Sequence, residues 1–183
     1  MSTQTQKLTY EEYLKTPEIK ARYDIVDGVM IMAPSPTLRH QTILRQLFLL
    51  LNRFVAEHQL GEVWFAPLDI LVQRAPLRTT QPDLLFVSNE RSEILGDIIE
   101  GAPDLVVEIL SPNNSRADIQ AKLGDYAGLG VRECWLVSPE ARSVEVLGLS
   151  EGNLARVAMY GSGDLVSSSV LPELPVAVNE LFG

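Results

Sequence analysis

The chain has 183 residues, of which 46% are hydrophobic, and it carries a formal net charge of −9. This length and hydrophobic content fit one well-buried domain better than two, so we predict a single domain over residues 1–183. The negative charge argues against a protein that coats nucleic acid through a broad basic surface, because phosphate neutralisation supplies most non-specific affinity. It does not exclude a metal-dependent phosphodiesterase, which needs acidic residues to hold its cation.

Residues that bind soft metals are scarce in this chain. Cys134 is the only cysteine and lies among apolar residues, which excludes an internal disulfide and predicts a buried thiol. His40 and His58 are the only histidines, so a zinc site is disfavoured. The longest apolar-rich run is interrupted by polar residues and the N-terminus lacks the pattern of a signal peptide, which predicts a cytoplasmic protein without a membrane span.

The first predicted elements are a short helix, a hairpin and a long helix. Thr9-Tyr10-Glu11-Glu12 fits a capping box and starts the short helix. Asp27-Gly28 separates two apolar runs and predicts a tight hairpin turn. Ser35-Pro36 predicts the N-cap and first position of the long helix. An apolar stripe of helical period continues this helix to about His58.

The rest of the chain reads mainly as strands around one more helix. Residues 62–73 predict one or two strands, 74–82 a loop, 83–87 a short buried strand, and 102–110 an almost wholly apolar strand. Apolar strands of this kind usually lie inside a sheet with both faces covered. A capping box at residues 115–118 starts a helix that ends at Gly128 or Gly130, and strands follow at 133–138 and 143–149. This order predicts an α/β or α+β fold with a central mixed sheet flanked by helices.

Glu108 lies inside the apolar strand predicted at 102–110. Burial of an ionised carboxylate is costly unless the group is paired or binds a metal. Asp104 shares the strand face, but four extended residues separate the two by roughly 13 Å, too far for one ion. Asp83, at the start of the preceding buried strand, is the better partner. If the two strands are adjacent, Asp83 and Glu108 converge at one end of the sheet and form a site for a hard cation.

A phosphodiester hydrolase of this type also benefits from a cation near the attacking water or the scissile phosphate. The strand position that would supply it is occupied by Leu110. The next lysine is Lys122, on the following helix, which could direct it back to the carboxylates. Lys122 also lies four residues after Asp118, the spacing of a surface ion pair, so a purely structural role remains the alternative.

Several motifs occur in an order that resembles the Uma-two family of putative restriction endonucleases, which belongs to the PD-(D/E)xK nuclease superfamily with the restriction-endonuclease-like fold. These motifs are Pro82-Asp83, Glu108-Ile109-Leu110-Ser111, Asp118, Lys122, Tyr126 and the segment GVRECWLVSPEARSVEV. The resemblance covers nearly the whole chain. It implies that Asp83 and Glu108 are catalytic and bind Mg²⁺ or Mn²⁺, and that Lys122 replaces the motif lysine from a helix.

The resemblance also implies supporting roles for Asp24 and His40. Asp24 stands where family members tend to have a glutamate before the Asp-Gly turn, and its shorter side chain leaves its metal role open. His40 matches a histidine at the start of the long helix, where it could be a general base or a phosphate contact. A histidine in the first turns of a helix is more often solvated or bonded to a loop carbonyl, which is the structural alternative.

The resemblance therefore implies a metal-dependent endonuclease that hydrolyses phosphodiester bonds in DNA. A homodimer is expected because cleavage of both strands wants two sites. Two alternatives remain open: a nucleic-acid-binding or regulatory protein that keeps the fold without cleavage, and a hydrolase of small phosphodiesters, which the acidic net charge allows.

Overall fold

The computed structural model describes residues 7–17, 19 and 21–182. Four α-helices occur in this part of the chain: α1 (Tyr10–Tyr13), α2 (Leu38–Glu57), α3 (Arg116–Leu129) and α4 (Val178–Phe182). The first six strands are β1 (Tyr23–Val26), β2 (Val29–Met32), β3 (Gly61–Phe65), β4 (Ile70–Gln73), β5 (Arg78–Thr80) and β6 (Leu84–Ser88). A 3₁₀ helix (Asn89–Ile94) precedes the other six, which are β7 (Leu105–Ile109), β8 (Glu133–Ser138), β9 (Ser143–Ser150), β10 (Asn153–Tyr160), β11 (Leu165–Val166) and β12 (Val176–Ala177).

The central element is a six-stranded sheet with the order β10-β9-β8-β7-β6-β3. Strands β7 and β8 are parallel and are connected through α3, whereas the other neighbours are antiparallel. A smaller antiparallel sheet has the order β2-β1-β5-β4, and β11 pairs with β12. The predicted mixed sheet flanked by helices is confirmed.

Helices α2 and α3 cover opposite faces of the six-stranded sheet. Ile43, Leu47 and Leu51 of α2 are buried in one apolar cluster with alternate residues of β6, β7 and β8. Leu123 and Tyr126 of α3 are buried in a second cluster with the intervening residues of the same strands. Burial on both faces explains why these strands lack polar alternation, and each buried leucine contributes roughly 1.5–3 kcal/mol.

The smaller sheet is held to α1 by a buried carboxylate. Asp69 Oδ2 accepts hydrogen bonds from the hydroxyl groups of Tyr13, at 2.7 Å, and Tyr23, at 2.9 Å. Burial, together with the nearby Asp69, raises the pKa of Tyr23 to about 12. These contacts fix β1, which begins one residue after Arg22 and contains Asp24.

Two details differ from the sequence predictions. The long helix begins at Leu38 rather than at Pro36, because Thr37 is the N-cap and its hydroxyl accepts from the backbone N–H of His40 at 3.2 Å. The predicted loop at 74–82 contains β5, which pairs with both β1 and β4. The β-branched residues Thr79 and Thr80 favour this strand, and the prolines on either side of it hid the signal.

Other local predictions are confirmed. The capping box at Thr9 and Glu12 starts α1, and a second one at Ser115 and Asp118 starts α3. Helix α3 ends at Leu129 and is capped by Gly130, whose φ of 93° is the left-handed conformation that glycine adopts at low cost. The Cys134 thiol is fully buried. No helix in the described ranges is long and apolar enough to cross a membrane.

Candidate active site

Asp83 and Glu108 lie side by side at one end of the β6–β7 pair. These strands are antiparallel, with Leu84 opposite Val107, so Asp83, one residue before β6, falls beside Glu108. The Glu108 side chain points to the sheet face that α3 covers, because Val106 belongs to the cluster on that face, whereas Asp83 contacts His40 of α2. The structure therefore brings together the two carboxylates that the sequence singled out.

Asp83 is almost fully buried and has a partner on each carboxylate oxygen. Its Oδ2 accepts from the backbone N–H of Ile109 at 2.6 Å. Its Oδ1 lies 3.2 Å from Nε2 of His40 and also accepts from Nη1 of Arg22. Burial alone would raise the pKa of Asp83, but the His40 hydrogen bond and the Arg22 charge outweigh it and lower this pKa. Asp83 is therefore an ionised carboxylate held in a fixed position.

Glu108 contacts three side chains from two other parts of the chain. Its Oε1 accepts from Nζ of Lys122 at 3.0 Å and from the hydroxyl of Tyr126. Its Oε2 lies 3.8 Å from Nη2 of Arg22. Burial raises the pKa of Glu108 and the neighbouring Asp83 adds to this effect, whereas Lys122 and Arg22 act in the opposite direction. The carboxylate of Glu108 thus sits in a buried cluster of compensating charges.

Lys122 reaches the carboxylates from α3. Its ammonium group is bonded to Glu108 and lies 3.7 Å from Oδ2 of Asp24. Burial lowers the pKa of Lys122, but the two acids outweigh burial and raise it. The alternative of a surface pair with Asp118 does not describe this geometry, because Asp118 accepts from the backbone and hydroxyl of Ser115 in the capping box.

Asp24 and His40 border the same cluster. Asp24 lies in β1, where its Oδ1 accepts from the backbone N–H of Gln81 at 2.9 Å. His40, in the first turn of α2, is mostly buried and directs Nε2 at Asp83. His40 is therefore neither solvated nor bonded to a loop carbonyl through this nitrogen. The structure brings all five predicted site residues into one connected group.

The donor atoms of this group suit a hard divalent cation, although the carboxylates are engaged with basic side chains. Within the described part of the chain, no group of three or more His, Cys, Asp or Glu side chains is arranged to hold a metal ion. The oxygens of Asp83 and Glu108 are the ligand type that Mg²⁺ and Mn²⁺ prefer. A cavity of about 40 Å³ opens beside Glu108 and Lys122, which is enough room for water.

Comparisons with known proteins identify the family of the chain and a structure with a similar fold. The model of the Uma2 (Uma-two) family, described as "putative restriction endonuclease", matches residues 10–179. The chain belongs to the Uma2 family. A crystal structure of a putative nuclease of DUF820 from Anabaena variabilis ATCC 29413 is similar, with a TM-score of 0.77 and 23% identity, over 96% of this chain and 97% of that chain. No curated protein matches the chain.

Uma2 membership confirms the resemblance seen in the sequence and supports a nuclease. The structural match shows the restriction-endonuclease-like fold over almost the whole length of both chains. The six-stranded mixed sheet, with α2 and α3 on its two faces, is the part of this Uma2 protein that positions Asp83 and Glu108.

Sequence reasoning missed two contributions to the candidate site. Arg22 was not considered, although it lies two residues before Asp24 and an alternating pattern could have placed both on one face. Tyr126 was named only as part of the family motifs, without a role at the site, whereas it donates a hydrogen bond to Glu108. Its position four residues after Lys122, one helical turn further along α3, was the available signal. The contacts of Arg22 with the carboxylates and of Tyr126 with Glu108 depend on how elements distant in sequence pack together.

Proposed function

We propose that this protein is a metal-dependent DNA endonuclease in which Asp83, Glu108 and Lys122 are the catalytic residues. The observation that carries this proposal is the convergence of two buried carboxylates and a lysine at one end of adjacent strands. Family membership supports the same reaction class. A lysine held 3.0 Å from a carboxylate that suits a hard cation is an arrangement that phosphodiester hydrolysis can use.

Each residue has a defined role in this mechanism. Asp83 and Glu108 would hold Mg²⁺ or Mn²⁺, and the bound ion would polarise the scissile phosphate and lower the pKa of a water molecule. Lys122 orients the attacking water and places positive charge beside the phosphoryl group as negative charge builds up. Asp24 and Glu108 together hold the Lys122 ammonium in place. His40 holds Asp83 from the side of α2.

DNA as the substrate is compatible with the charges at the candidate site, although the net charge of the chain is negative. The net charge is −9, and the basic side chains of Arg22, His40 and Lys122 are paired with carboxylates at the site. A divalent cation bound there would supply the additional positive charge that receives a phosphodiester while the remaining surface is acidic. A cytoplasmic location belongs to this proposal, since an enzyme that cleaves DNA has to share a compartment with it.

One set of assays separates this proposal from the two alternatives. Labelled duplex DNA is incubated with Mg²⁺, Mn²⁺ or EDTA, and DNA binding in EDTA and hydrolysis of bis(p-nitrophenyl) phosphate are measured in parallel. The proposal expects metal-dependent strand scission. Metal-independent binding without scission would favour the silent binding protein, and turnover of the small diester with intact DNA would favour the small-substrate hydrolase.

Lys122→Met is expected to reduce cleavage without preventing metal binding. The methionine keeps most of the apolar stem but removes the ammonium that contacts Glu108, so the loss falls on charge stabilisation in the transition state. We expect a decrease in cleavage rate of about 100-fold, with Mn²⁺ affinity retained. Arg53→Met, which removes an exposed pair with Glu57 on α2, is the control and should cleave normally. Cleavage by Lys122→Met at the wild-type rate would refute the role of Lys122.

A homodimer is part of the proposal because two sites are needed to cut both strands of a duplex. Strand β3 is an edge of the six-stranded sheet, and it exposes Trp64 and Phe65. An exposed edge with aromatic side chains favours pairing with a second chain. Light scattering on the purified wild-type protein is expected to give twice the mass of one chain. The Trp64→Lys variant is expected to give the mass of a single chain. A monomeric wild type that still cuts both strands would contradict the dimer.

A further inference from the structure

We propose that Arg22 is a built-in counter-ion of the carboxylate pair, which must leave Asp83 and Glu108 before a divalent cation can bind them. This inference rests on the metal site in the proposed function and goes beyond it, because it assigns a role to a residue outside the catalytic trio. It makes metal binding an exchange of one cation for another rather than the filling of a vacant site.

The Arg22 guanidinium lies between the two carboxylates. Nη1 donates to Oδ1 of Asp83, and Nη2 lies 3.8 Å from Oε2 of Glu108. Nη2 also donates to the backbone carbonyl of Gln81 at 2.6 Å. The planar fork therefore spans both acidic side chains, a geometry that a lysine could not reproduce.

Two of the four carboxylate oxygens are occupied by hydrogen bonds to groups other than Arg22. Oδ2 of Asp83 is bonded to the backbone of Ile109, and Oε1 of Glu108 is bonded to Lys122 and Tyr126. The oxygens that remain for a shared cation are Oδ1 of Asp83 and Oε2 of Glu108. Both face Arg22, and Oδ1 of Asp83 also lies 3.2 Å from Nε2 of His40. A divalent ion that bridges the two carboxylates therefore competes with the guanidinium at both oxygens and with His40 at one.

The backbone around Arg22 is fixed by hydrogen bonds, whereas its side chain is partly exposed to solvent. Its carbonyl accepts from the backbone of Ala33 at 2.9 Å, and the next residue, Tyr23, donates its N–H to Gln81 Oε1 at 3.3 Å. The side chain is 24% exposed, compared with 2% for the Asp83 side chain. The guanidinium can therefore rotate toward solvent while β1 stays in place.

Charge compensation explains why the metal-free protein needs Arg22. Two buried carboxylates side by side repel one another, and the loss of a partner from a buried ion pair is strongly destabilising. Arg22 supplies this compensation in the metal-free form, and a divalent cation supplies it in the metal-bound form. Removing Arg22 should therefore weaken the metal-free protein and strengthen metal binding.

The test measures Mn²⁺ affinity by electron paramagnetic resonance for the wild type, Arg22→Met, Arg78→Met and Asp83→Asn. Arg78 is the matched control, because it is also about one-fifth exposed and forms one ion pair, with Asp125 at 2.7 Å, but does not contact Asp83 or Glu108. We expect Arg22→Met to bind Mn²⁺ about tenfold more tightly than the wild type, equivalent to about 1.4 kcal/mol. Arg78→Met should differ from the wild type by less than about twofold, since Arg78 contacts neither Asp83 nor Glu108 and its charge is partly screened by solvent.

A second readout is the thermal midpoint in EDTA and in Mn²⁺. Arg22→Met should melt below the wild type in EDTA and should gain more from Mn²⁺, because a ligand that binds the folded state more tightly stabilises it more. If Arg22→Met does not fold, Arg22→Lys replaces it, since lysine keeps the charge without spanning both carboxylates and is also expected to bind Mn²⁺ more tightly than the wild type.

Two outcomes overturn the inference, and they are distinguishable. If Arg22→Met, or the lysine variant in its place, binds Mn²⁺ no more tightly than the wild type while Asp83→Asn loses binding, the metal site stands and the exchange role of Arg22 is wrong. If the wild type and Asp83→Asn both fail to bind Mn²⁺, the metal site itself is wrong and the inference is overturned together with it.

Discussion

Replacement of Asp83 by asparagine is expected to abolish cleavage and to lower the free energy of unfolding by about 3–5 kcal/mol. The Asp83 side chain is 2% exposed and pairs with both Arg22 and His40. Asparagine keeps the shape but not the charge, so the two basic groups would face a neutral amide in a buried site. Urea denaturation in EDTA measures the stability change, and plasmid cleavage in Mn²⁺ measures the activity.

Asp104→Asn is a matched control for this prediction. Asp104 precedes β7 as Asp83 precedes β6, and its carboxylate accepts from the backbone of Ser88 at 2.8 Å and pairs with Arg132 at 2.9 Å. It is fully buried at the opposite end of the same strand pair. Asp104→Asn should lose stability but keep Mn²⁺ affinity and cleavage per folded molecule. Equal loss of Mn²⁺ binding in both variants would show that the effect of Asp83→Asn is only structural.

Glu108→Gln is expected to reduce cleavage by about 100-fold to 1,000-fold. The amide has nearly the same shape as the carboxylate but cannot hold a cation with a full negative charge. It also weakens the charge partner of Lys122, so metal affinity and the position of the lysine both change. Single-turnover cleavage of a labelled duplex measures the loss.

Glu133→Gln tests whether any buried glutamate would have the same effect. Glu133 lies in β8, is almost fully buried, and accepts hydrogen bonds from Trp135, Ser168 and Ser169. It does not contact the candidate active site, so its amide variant should cleave at the wild-type rate after correction for the folded fraction. Equal losses of activity in Glu108→Gln and Glu133→Gln would contradict a specific role for Glu108.

The raised pKa of Glu108 gives the stability of Glu108→Gln a defined pH dependence. Because burial raises this pKa in the folded state, the contribution of Glu108 to stability is present below its unfolded pKa. That contribution is lost as pH rises through the folded value. Glutamine does not titrate. The free energy of unfolding of the variant, relative to the wild type in EDTA, should therefore increase with pH across this window.

The parts of the fold that the sequence predicted are those with local signals. The capping boxes of α1 and α3 lie within four residues of chain, and the buried strands β6 and β7 show their burial in their own composition. Strand β5 has only three residues and is flanked by prolines on both sides. It is stabilised by pairing with β1 and β4 rather than by its own sequence. A local reading could not detect that pairing.

In the candidate site, too, some contacts were predictable from the sequence and others were not. The proximity of Asp83 and Glu108 was predicted on the condition that their two apolar strands are adjacent, and the structure pairs these strands. The approach of Lys122 depended on how α3 packs, and the order of family motifs was the only sequence signal for it. The contact between Arg22 and Asp83 joins positions 61 residues apart. No local pattern predicts a contact of that range, so the counter-ion emerged only from the structure.

The most direct test of a metal-dependent endonuclease is conversion of supercoiled plasmid to nicked or linear DNA. The folded wild-type protein and Glu108→Gln are compared in Mg²⁺, Mn²⁺ and EDTA. Cleavage by the wild type is expected with either metal and not in EDTA, and little or no cleavage is expected from the variant. A folded wild-type protein that binds Mn²⁺ but leaves the plasmid intact, or cleavage that continues unchanged in Glu108→Gln, would contradict this function.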